Sequence, residues 1–186
     1  MKIFALDLAT TTGFAIGDTG GAPLSGSVRL KTSDDEPERA FKKLAQFLRD
    51  HFSANTYDLV IVEAPVNIGA FVQSAPESER GFKFTSNPAT IYLLSGLAAV
   101  AYGISGCYGF RCVKANVQQV RKHFLGVARP ENPKQAVVAR CKQLRYIPTD
   151  CRDDNQADAC ALWDFAASHY GRAATASVFG GAPAHG

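Results

Sequence analysis

The first 17 residues, MKIFALDLATTTGFAIG, constrain the fold more than any other stretch of the chain. Residues 3–6 form a short apolar run, and a second run at residues 13–17 follows three threonines. Two such runs around a short polar break predict a β-hairpin that opens a sheet. Asp7 then lies at the end of a buried strand, beside small residues that allow another backbone or a phosphate to come close. A carboxylate there needs hydrogen bonds, a positive charge or a metal ion, unless it only caps the turn by bonding Thr10 and Thr11.

A second acid repeats this arrangement later in the chain. Residues 59–62 (LVIV) form a continuous, β-branched apolar run, which is typical of a central strand. The run ends at Glu63, and Pro65 ends the strand because proline cannot donate a hydrogen bond to the ladder. Two acids at the tips of two buried strands indicate a shared site more strongly than either acid alone.

The bulk composition predicts one domain at residues 1–170 and a disordered, Gly- and Ala-rich tail at residues 171–186. The chain has 186 residues, of which 46% are hydrophobic, enough for one substantial core. We expect a cytoplasmic protein with no membrane partner, because no signal peptide is recognisable and the apolar stretch at residues 91–102 is short and interrupted. The five cysteines contain no C-x-x-C pair, which argues against structural zinc or a secreted disulfide scaffold.

The net charge of +3 hides an uneven distribution of charges. Residues 111–145 contain nine basic side chains and one acid, whereas the first 110 residues hold nine basic and eleven acidic side chains. A basic segment followed by an acidic one favours a groove for a polyanion beside a metal-binding cluster. The alternative is a pair of solvated helices with basic outer faces.

The remaining chain alternates between strand and helix signals. Apolar residues recur at helical spacing in residues 34–52. Residues 88–104 form a predicted helix with almost no charge, which must be covered on all sides by the sheet and is a candidate contact with another copy of the protein. The long loop at residues 66–87 has no clean period and is typical of a functional or mobile segment. Further strands are predicted at residues 25–30 and 110–113, and further helices at residues 116–124, 133–145 and 154–170.

Two acids open the last predicted helix. Asp154 and Asp158 are four residues apart and therefore share a helix face, close to an apolar seam. Helix capping can explain Asp153 or Asp154 but not Asp158. A divalent cation bound between them explains both acids.

Together these motifs resemble the RuvC-type Holliday junction resolvases of the RNase H-like superfamily, as a divergent or phage-like member. The resemblance is carried by LDLATTTGFAIG, LVIVEAP, the basic stretch VRKHFLG…NPKQAV and the helix start DNQADACAL, in that order. It implies an α/β protein with an RNase H-like fold, a five-stranded mixed β-sheet flanked by α-helices on both faces. It also implies that Asp7, Glu63, Asp154 and Asp158 are catalytic and hold two Mg²⁺ ions per site, which Mn²⁺ can replace; all-oxygen ligands suit these ions.

The resemblance also assigns the contacts to nucleic acid. Lys134 is the best match to the basic residue that contacts the scissile phosphate, and Arg121 or Lys122 is a second match. The nucleic-acid-binding set is completed by Lys114, Arg129 and Phe71, the last as the aromatic side chain that stacks on opened bases. Phe82 and Phe84 are alternatives to Phe71, and each of the three phenylalanines could instead pack in the core.

One motif departs from the pattern of the bacterial enzyme. The final acids are spaced D-x-x-x-D instead of D-x-x-D, which would place Asn155 at the first position. Asp154 is therefore the predicted ligand, and a contribution of Asp153 or Asn155 stays open.

The predicted function is that of a crossover junction endodeoxyribonuclease: a Mg²⁺-dependent homodimer that resolves four-way DNA junctions in recombination and repair by two-metal hydrolysis. A nuclease of the same fold that acts on structured RNA or other branched DNA is a first alternative. An actin-like ATPase or sugar kinase fragment is a second, since D-x-A-T-T-x-G-x-A resembles their phosphate loop, but the chain is too short for two nucleotide-binding halves. A non-catalytic nucleic-acid-binding module is a third, disfavoured because uncompensated carboxylates would weaken phosphate binding.

Overall fold

A single mixed sheet forms the centre of the fold. The structure, a computed structural model, describes residues 1–64 and 88–178, with side chains described up to residue 171. The order of the strands across the sheet is β3-β2-β1-β4-β5; β2 is antiparallel to both neighbours, and β1, β4 and β5 are parallel. The strands are β1 Lys2–Asp7, β2 Thr11–Asp18, β3 Leu24–Arg29, β4 Leu59–Glu63 and β5 Cys112–Ala115.

Helices cover both faces of the sheet, which confirms the predicted fold class. The last helix continues past its predicted end at Tyr170 to Val178. Residues 179–186, like the loop at 65–87, lie outside the described residues, so the predicted disorder of the tail stays a prediction. The predicted cap of the third helix is present, since the Asn116 side chain accepts a hydrogen bond from the backbone N–H of Gln118. The helices are α1 Pro37–Ala54, α2 Pro88–Cys107, α3 Val117–Leu125, α4 Pro133–Gln143 and α5 Asp154–Val178.

The alternation of side chains along β1 and β4 divides the core into two layers. Phe4 and Leu6 pack with α1 and α2, whereas Ile3 and Ala5 pack with α3, α4 and α5. Asp7 points to the same face of the sheet as Ile3 and Ala5. Glu63 at the end of β4 points to this face too, because the register pairs Leu6 with Val62 and so places Glu63 beside Asp7. The two acids therefore lie side by side at one edge of the sheet, on the face that α5 covers.

The approach of α5 to the sheet depends on small residues in β2. Gly13, Ala15 and Gly17 alternate along β2 on the face towards α5. A Cβ atom at Gly13 would lie 1.8 Å from the carbonyl oxygen of Asn155, so a side chain there would collide with the helix backbone. Further along, the Trp163 indole N–H donates to the carbonyl oxygen of Gly17 (3.2 Å). The small residues of TTGFAIG thus allow α5 to pack closely against β2.

The helix α2 is longer and more apolar than predicted. By length and composition it is the one helix within residues 1–64 and 88–178 that could cross a membrane, which corrects the short, interrupted stretch predicted at residues 91–102. Leu97 and Ala101 are nevertheless fully buried against the core, and the Phe41 ring packs directly over Gly96. One face of α2 therefore belongs to the core. A core helix of a folded domain can be as long and as apolar as a membrane-spanning helix.

Candidate active site

Two carboxyl groups are in contact at the edge of the sheet. The parallel pairing of β1 and β4 places Asp7 and Glu63 next to each other, and their side chains are hydrogen-bonded. An isolated pair of carboxylates would repel, so one of the two must carry the shared proton. The strand tips therefore form a carboxyl pair, as the repeated strand-end pattern predicts.

The start of α5 brings two more acids to this pair. Gly13 is the ladder partner of Asp7, and the backbone of Asn155 lies directly over Gly13. Asp154 and Asp158, which flank Asn155 on the first turns of α5, are consequently close enough to act on Asp7 electrostatically: both raise its pKa. The structure thus brings together all four carboxylates that the sequence singled out.

Burial and mutual repulsion perturb the acids strongly. Desolvation, followed by the charges of Glu63, Asp158 and Asp154, raises the pKa of Asp7 from 3.8 to about 8. Burial is also the main reason that the pKa of Asp158 rises to about 6 and that the pKa of Glu63 is raised. The raised pKa of Asp7 favours its protonated form near neutral pH, in which its carboxyl O–H donates a hydrogen bond to Glu63. Such strong perturbation of clustered groups is typical of functional sites.

Two cations partly compensate this negative charge. Lys134, on the first turn of α4, forms an ion pair with Asp154, which lowers the pKa of Asp154 and raises that of the lysine. Arg121, on α3, lowers the pKa of both Glu63 and Asp158. Both cations act on Asp158, and both carry side chains that can also bind a phosphate.

The other predicted contacts to nucleic acid do not converge on the acids. Lys114 alternates with Val113 and Ala115 on β5 and so points to the opposite face of the sheet. Lys122 and Arg129 are exposed, on α3 and in the loop that follows it. Phe71, Phe82 and Phe84 lie outside the described residues.

Asp153 caps α5 and does not point at the acid cluster. Its Oδ1 accepts hydrogen bonds from the backbone N–H groups of Asn155 (3.0 Å) and Gln156 (3.2 Å), and its Oδ2 accepts one from the Ser27 hydroxyl (2.5 Å). The Asn155 side chain turns back towards Asp153. Capping thus accounts for Asp153 in this structure, and a contribution of Asp153 or Asn155 to a metal site stays open. Sequence reasoning missed Ser27, because an isolated serine in an edge strand carries no local signal.

The donor set of the cluster suits a hard divalent cation. Four carboxylates supply only oxygen ligands, which favours Mg²⁺ or Mn²⁺ over zinc. As the side chains stand, no group of three or more His, Cys, Asp or Glu within residues 1–64 and 88–178 surrounds one point closely enough to hold an ion. In this arrangement the Asp7 and Glu63 carboxyl groups interact with each other, and Lys134 is paired with Asp154.

The fold matches known nucleases along nearly the whole chain. No family model matches the sequence. RuvC of Thermus thermophilus superposes with a TM-score of 0.63 at 14% identity, covering 94% of this chain and 98% of RuvC. RuvC of the same organism in complex with a Holliday junction substrate gives a TM-score of 0.70 at 14% identity, covering 94% and 97%. The yeast mitochondrial Holliday junction resolvase Ydc2 gives 0.57 at 9% identity, covering 94% and 83%.

These similarities place the fold in the RNase H-like class. More particularly, it is the fold of the RuvC-type Holliday junction resolvases, as the sequence motifs predicted. A sequence relative from Shouchella clausii, provisionally named a pre-16S rRNA nuclease, is 36% identical over 81 residues. The match covers 42% of this chain and 54% of that protein, so the chain spans about half the length of the relative.

Proposed function

We propose that the protein is a Mg²⁺-dependent endonuclease that cleaves branched nucleic acid, with the four-way DNA junction as its substrate. The observation that carries the proposal is the convergence of Asp7, Glu63, Asp154 and Asp158 at the edge of the sheet, where burial and repulsion raise the pKa of Asp7 to about 8. A protein gains no stability from such a cluster without a ligand. Divalent cations compensate it directly.

The acids and the basic residues of the site would have different roles in hydrolysis. The four carboxylates would hold the ions, which supply, when bound, an activated water and charge stabilisation at the leaving oxygen. Lys134 and Arg121 act electrostatically on the acids of the cluster and would bind the non-bridging oxygens of the scissile phosphate. Lys134 pairs with Asp154 in the absence of metal and substrate. When ions occupy the carboxylates, its ammonium group would be released from Asp154 and become available to a phosphate oxygen.

The substrate class has two supported candidates. DNA junctions are favoured by the fold, since a RuvC structure of this fold is in complex with a Holliday junction. Structured RNA is favoured by the relative that is provisionally named a pre-16S rRNA nuclease. In either case the basic segment contacts phosphates, so binding should weaken steeply with salt as counterions are released.

A homodimer would place two active sites on opposing strands of one junction. The exposed face of α2 supports it: Tyr92 is 54% exposed, and Ser95, Ala99 and Gly103 follow as small exposed residues at four-residue spacing. Small residues at this spacing allow two helices to approach closely. Sedimentation equilibrium at micromolar concentration should detect a dimer that Ala99→Arg dissociates, and a wild-type protein that is only monomeric would contradict the proposal.

A single gel tests the nuclease function and its substrate. Labelled four-way junction, plain duplex and structured RNA are each incubated with the protein in Mg²⁺ or in EDTA. We expect Mg²⁺-dependent cleavage of the junction by wild type and by the surface variant Asp50→Asn, and none by Asp158→Asn. Cleavage of the RNA alone would select the alternative substrate. Cleavage in EDTA, or by Asp158→Asn, would contradict the proposed site.

A further inference from the structure

The first turn of α5 is tied to the edge strand β3 by two polar side-chain contacts. The register pairs Ser27 with Gly13 and Ser25 with Ala15, so both serines lie on the face of the sheet that α5 covers. The Ser27 hydroxyl donates to Asp153 Oδ2 (2.5 Å), whose other oxygen caps the helix. This first contact joins the helix cap to the sheet.

The second contact uses the side-chain amide of Gln156. Its Nε2 donates to the carbonyl oxygen of Ser25 (3.1 Å) and contacts the Ser25 hydroxyl oxygen (2.9 Å). That hydroxyl in turn donates to the carbonyl oxygen of Tyr146 (3.3 Å). The two contacts link strand residues to helix residues that are more than a hundred positions away in the sequence.

These contacts matter because the surface of β2 on which α5 packs carries no large side chains. The helix lies on Gly13, Ala15 and Gly17, none of which has a side chain large enough to interlock with it. Close packing on such a surface fixes the distance of the helix from the sheet but resists sliding along the strand only weakly. The Trp163 indole N–H restrains the middle of the helix through the Gly17 carbonyl, and the contacts from Ser27 and Gln156 restrain its start, immediately beside the two acids of α5.

We propose that Ser27 and Gln156 are positioning residues, which fix the start of α5 so that Asp154 and Asp158 stand at the correct distance from Asp7 for shared cation binding. The inference rests on the proposed function, because it concerns the acids of the proposed metal site. Neither residue touches the ions or the substrate; each acts through the position of the helix.

Binding of Mn²⁺, followed by electron paramagnetic resonance, tests this role without a cleavage assay. We expect Ser27→Ala and Gln156→Ala to bind Mn²⁺ about tenfold more weakly than wild type, the lower end of the effect typical for groups that orient metal ligands. Ser27→Thr keeps the hydroxyl and should restore the affinity. Ser33→Ala is the matched control, because Ser33 also loses a hydrogen bond to an aspartate (3.0 Å to Asp34) but lies in the loop before α1.

The variant Asp153→Asn separates positioning from direct ligation. Asparagine keeps the capping oxygen, and its NH₂ group can donate to the Ser27 hydroxyl oxygen, so the variant should lose no more Mn²⁺ affinity than Ser27→Ala. A tenfold or larger loss beyond that of Ser27→Ala would mean that Asp153 is itself a ligand and would overturn the inference. Circular dichroism identifies folded variants. If folded Ser27→Ala and Gln156→Ala melt at a lower temperature than wild type yet bind Mn²⁺ with the same affinity, the contacts are structural only. The inference then fails while the proposed function stands. If wild type binds no Mn²⁺, the proposed function fails with it.

Discussion

Replacing Asp7 by asparagine should stabilise the metal-free protein while removing its activity. The pKa of Asp7 rises from 3.8 to about 8, mainly through burial and then through repulsion by Glu63 and the acids of α5. The carboxyl group must therefore take up a proton when the chain folds at neutral pH. Asparagine has nearly the same shape, carries no charge and can donate a hydrogen bond to Glu63. The substitution therefore removes the free-energy cost of protonation and keeps the hydrogen bond to Glu63.

The size of the gain follows from the linkage between proton binding and folding. At pH 7 the unfolded Asp7 is ionised, about three pH units above its usual pKa, so protonating it in the folded state costs up to about 4 kcal/mol at 1.36 kcal/mol per unit. Relaxation of the site reduces this figure, and we expect Asp7→Asn to raise the free energy of unfolding by about 2–4 kcal/mol. For a chain of this size that is a rise in the melting temperature of about 5–10 °C.

The sign of the pH dependence is fixed by the direction of the shift. Because the folded pKa is raised, the protonated acid favours the folded state, and the stability that it contributes is lost as the pH rises through about 8. The advantage of Asp7→Asn should accordingly grow between pH of about 4 and about 8 and vanish at the acidic end.

Urea denaturation in EDTA, at the two ends of this pH range, measures the effect. Asp50→Asn, which removes an exposed carboxylate of α1, is the control and should leave the stability unchanged. Added Mg²⁺ should then stabilise wild type but not Asp7→Asn. If Asp7→Asn is no more stable than wild type at the alkaline end, the acids do not form an electrostatically strained cluster and the reasoning is wrong.

Three further substitutions test separate parts of the site. Lys134→Ala should slow cleavage by about a hundredfold or more with an unchanged circular dichroism spectrum, because a positioned phosphate contact is lost. Gly13→Ala should destabilise the fold by about 1–3 kcal/mol in urea denaturation, since its Cβ collides with the backbone of α5, whereas Gly20→Ala, with open space around it, should not. Arg121→Gln should move the acidic limb of the pH–rate profile to higher pH, because the arginine lowers the pKa of Glu63 and Asp158.

For each of these three substitutions, one outcome would contradict the prediction. Undiminished cleavage by Lys134→Ala would remove the lysine from the active site. Equal stability of the two glycine variants would mean that α5 does not sit on Gly13. A pH–rate profile that Arg121→Gln leaves unmoved would separate the arginine from the acids that control the rate.

The sequence predicts the acid cluster because its parts are local patterns with a known consequence in three dimensions. A strand that ends in Asp7 and a parallel strand that ends in Glu63 must present both acids at one edge of the sheet. The pair at Asp154 and Asp158 follows from helical spacing alone. The small residues after Asp7 also predict the close approach of a backbone, which proves to be that of α5 at Gly13.

Other features depend on contacts between distant residues and leave no local pattern. The bond from Ser27 to Asp153 joins positions 126 residues apart, and neither residue type is unusual where it stands. The extension of α5 to Val178 and of α2 to Cys107 exceeds the predicted bounds, because apolar and small residues continue a helix without any change in pattern. Which cation pairs with which acid is likewise decided by the packing of α3 and α4 on α5.

The central claim is that these acids share divalent cations, and crystals grown with Mn²⁺ test it most directly. An anomalous difference map should contain density between Asp7 and the acids of α5, with Lys134 moved away from Asp154. Density only at other surface carboxylates, or none in this pocket at saturating Mn²⁺, would contradict the account.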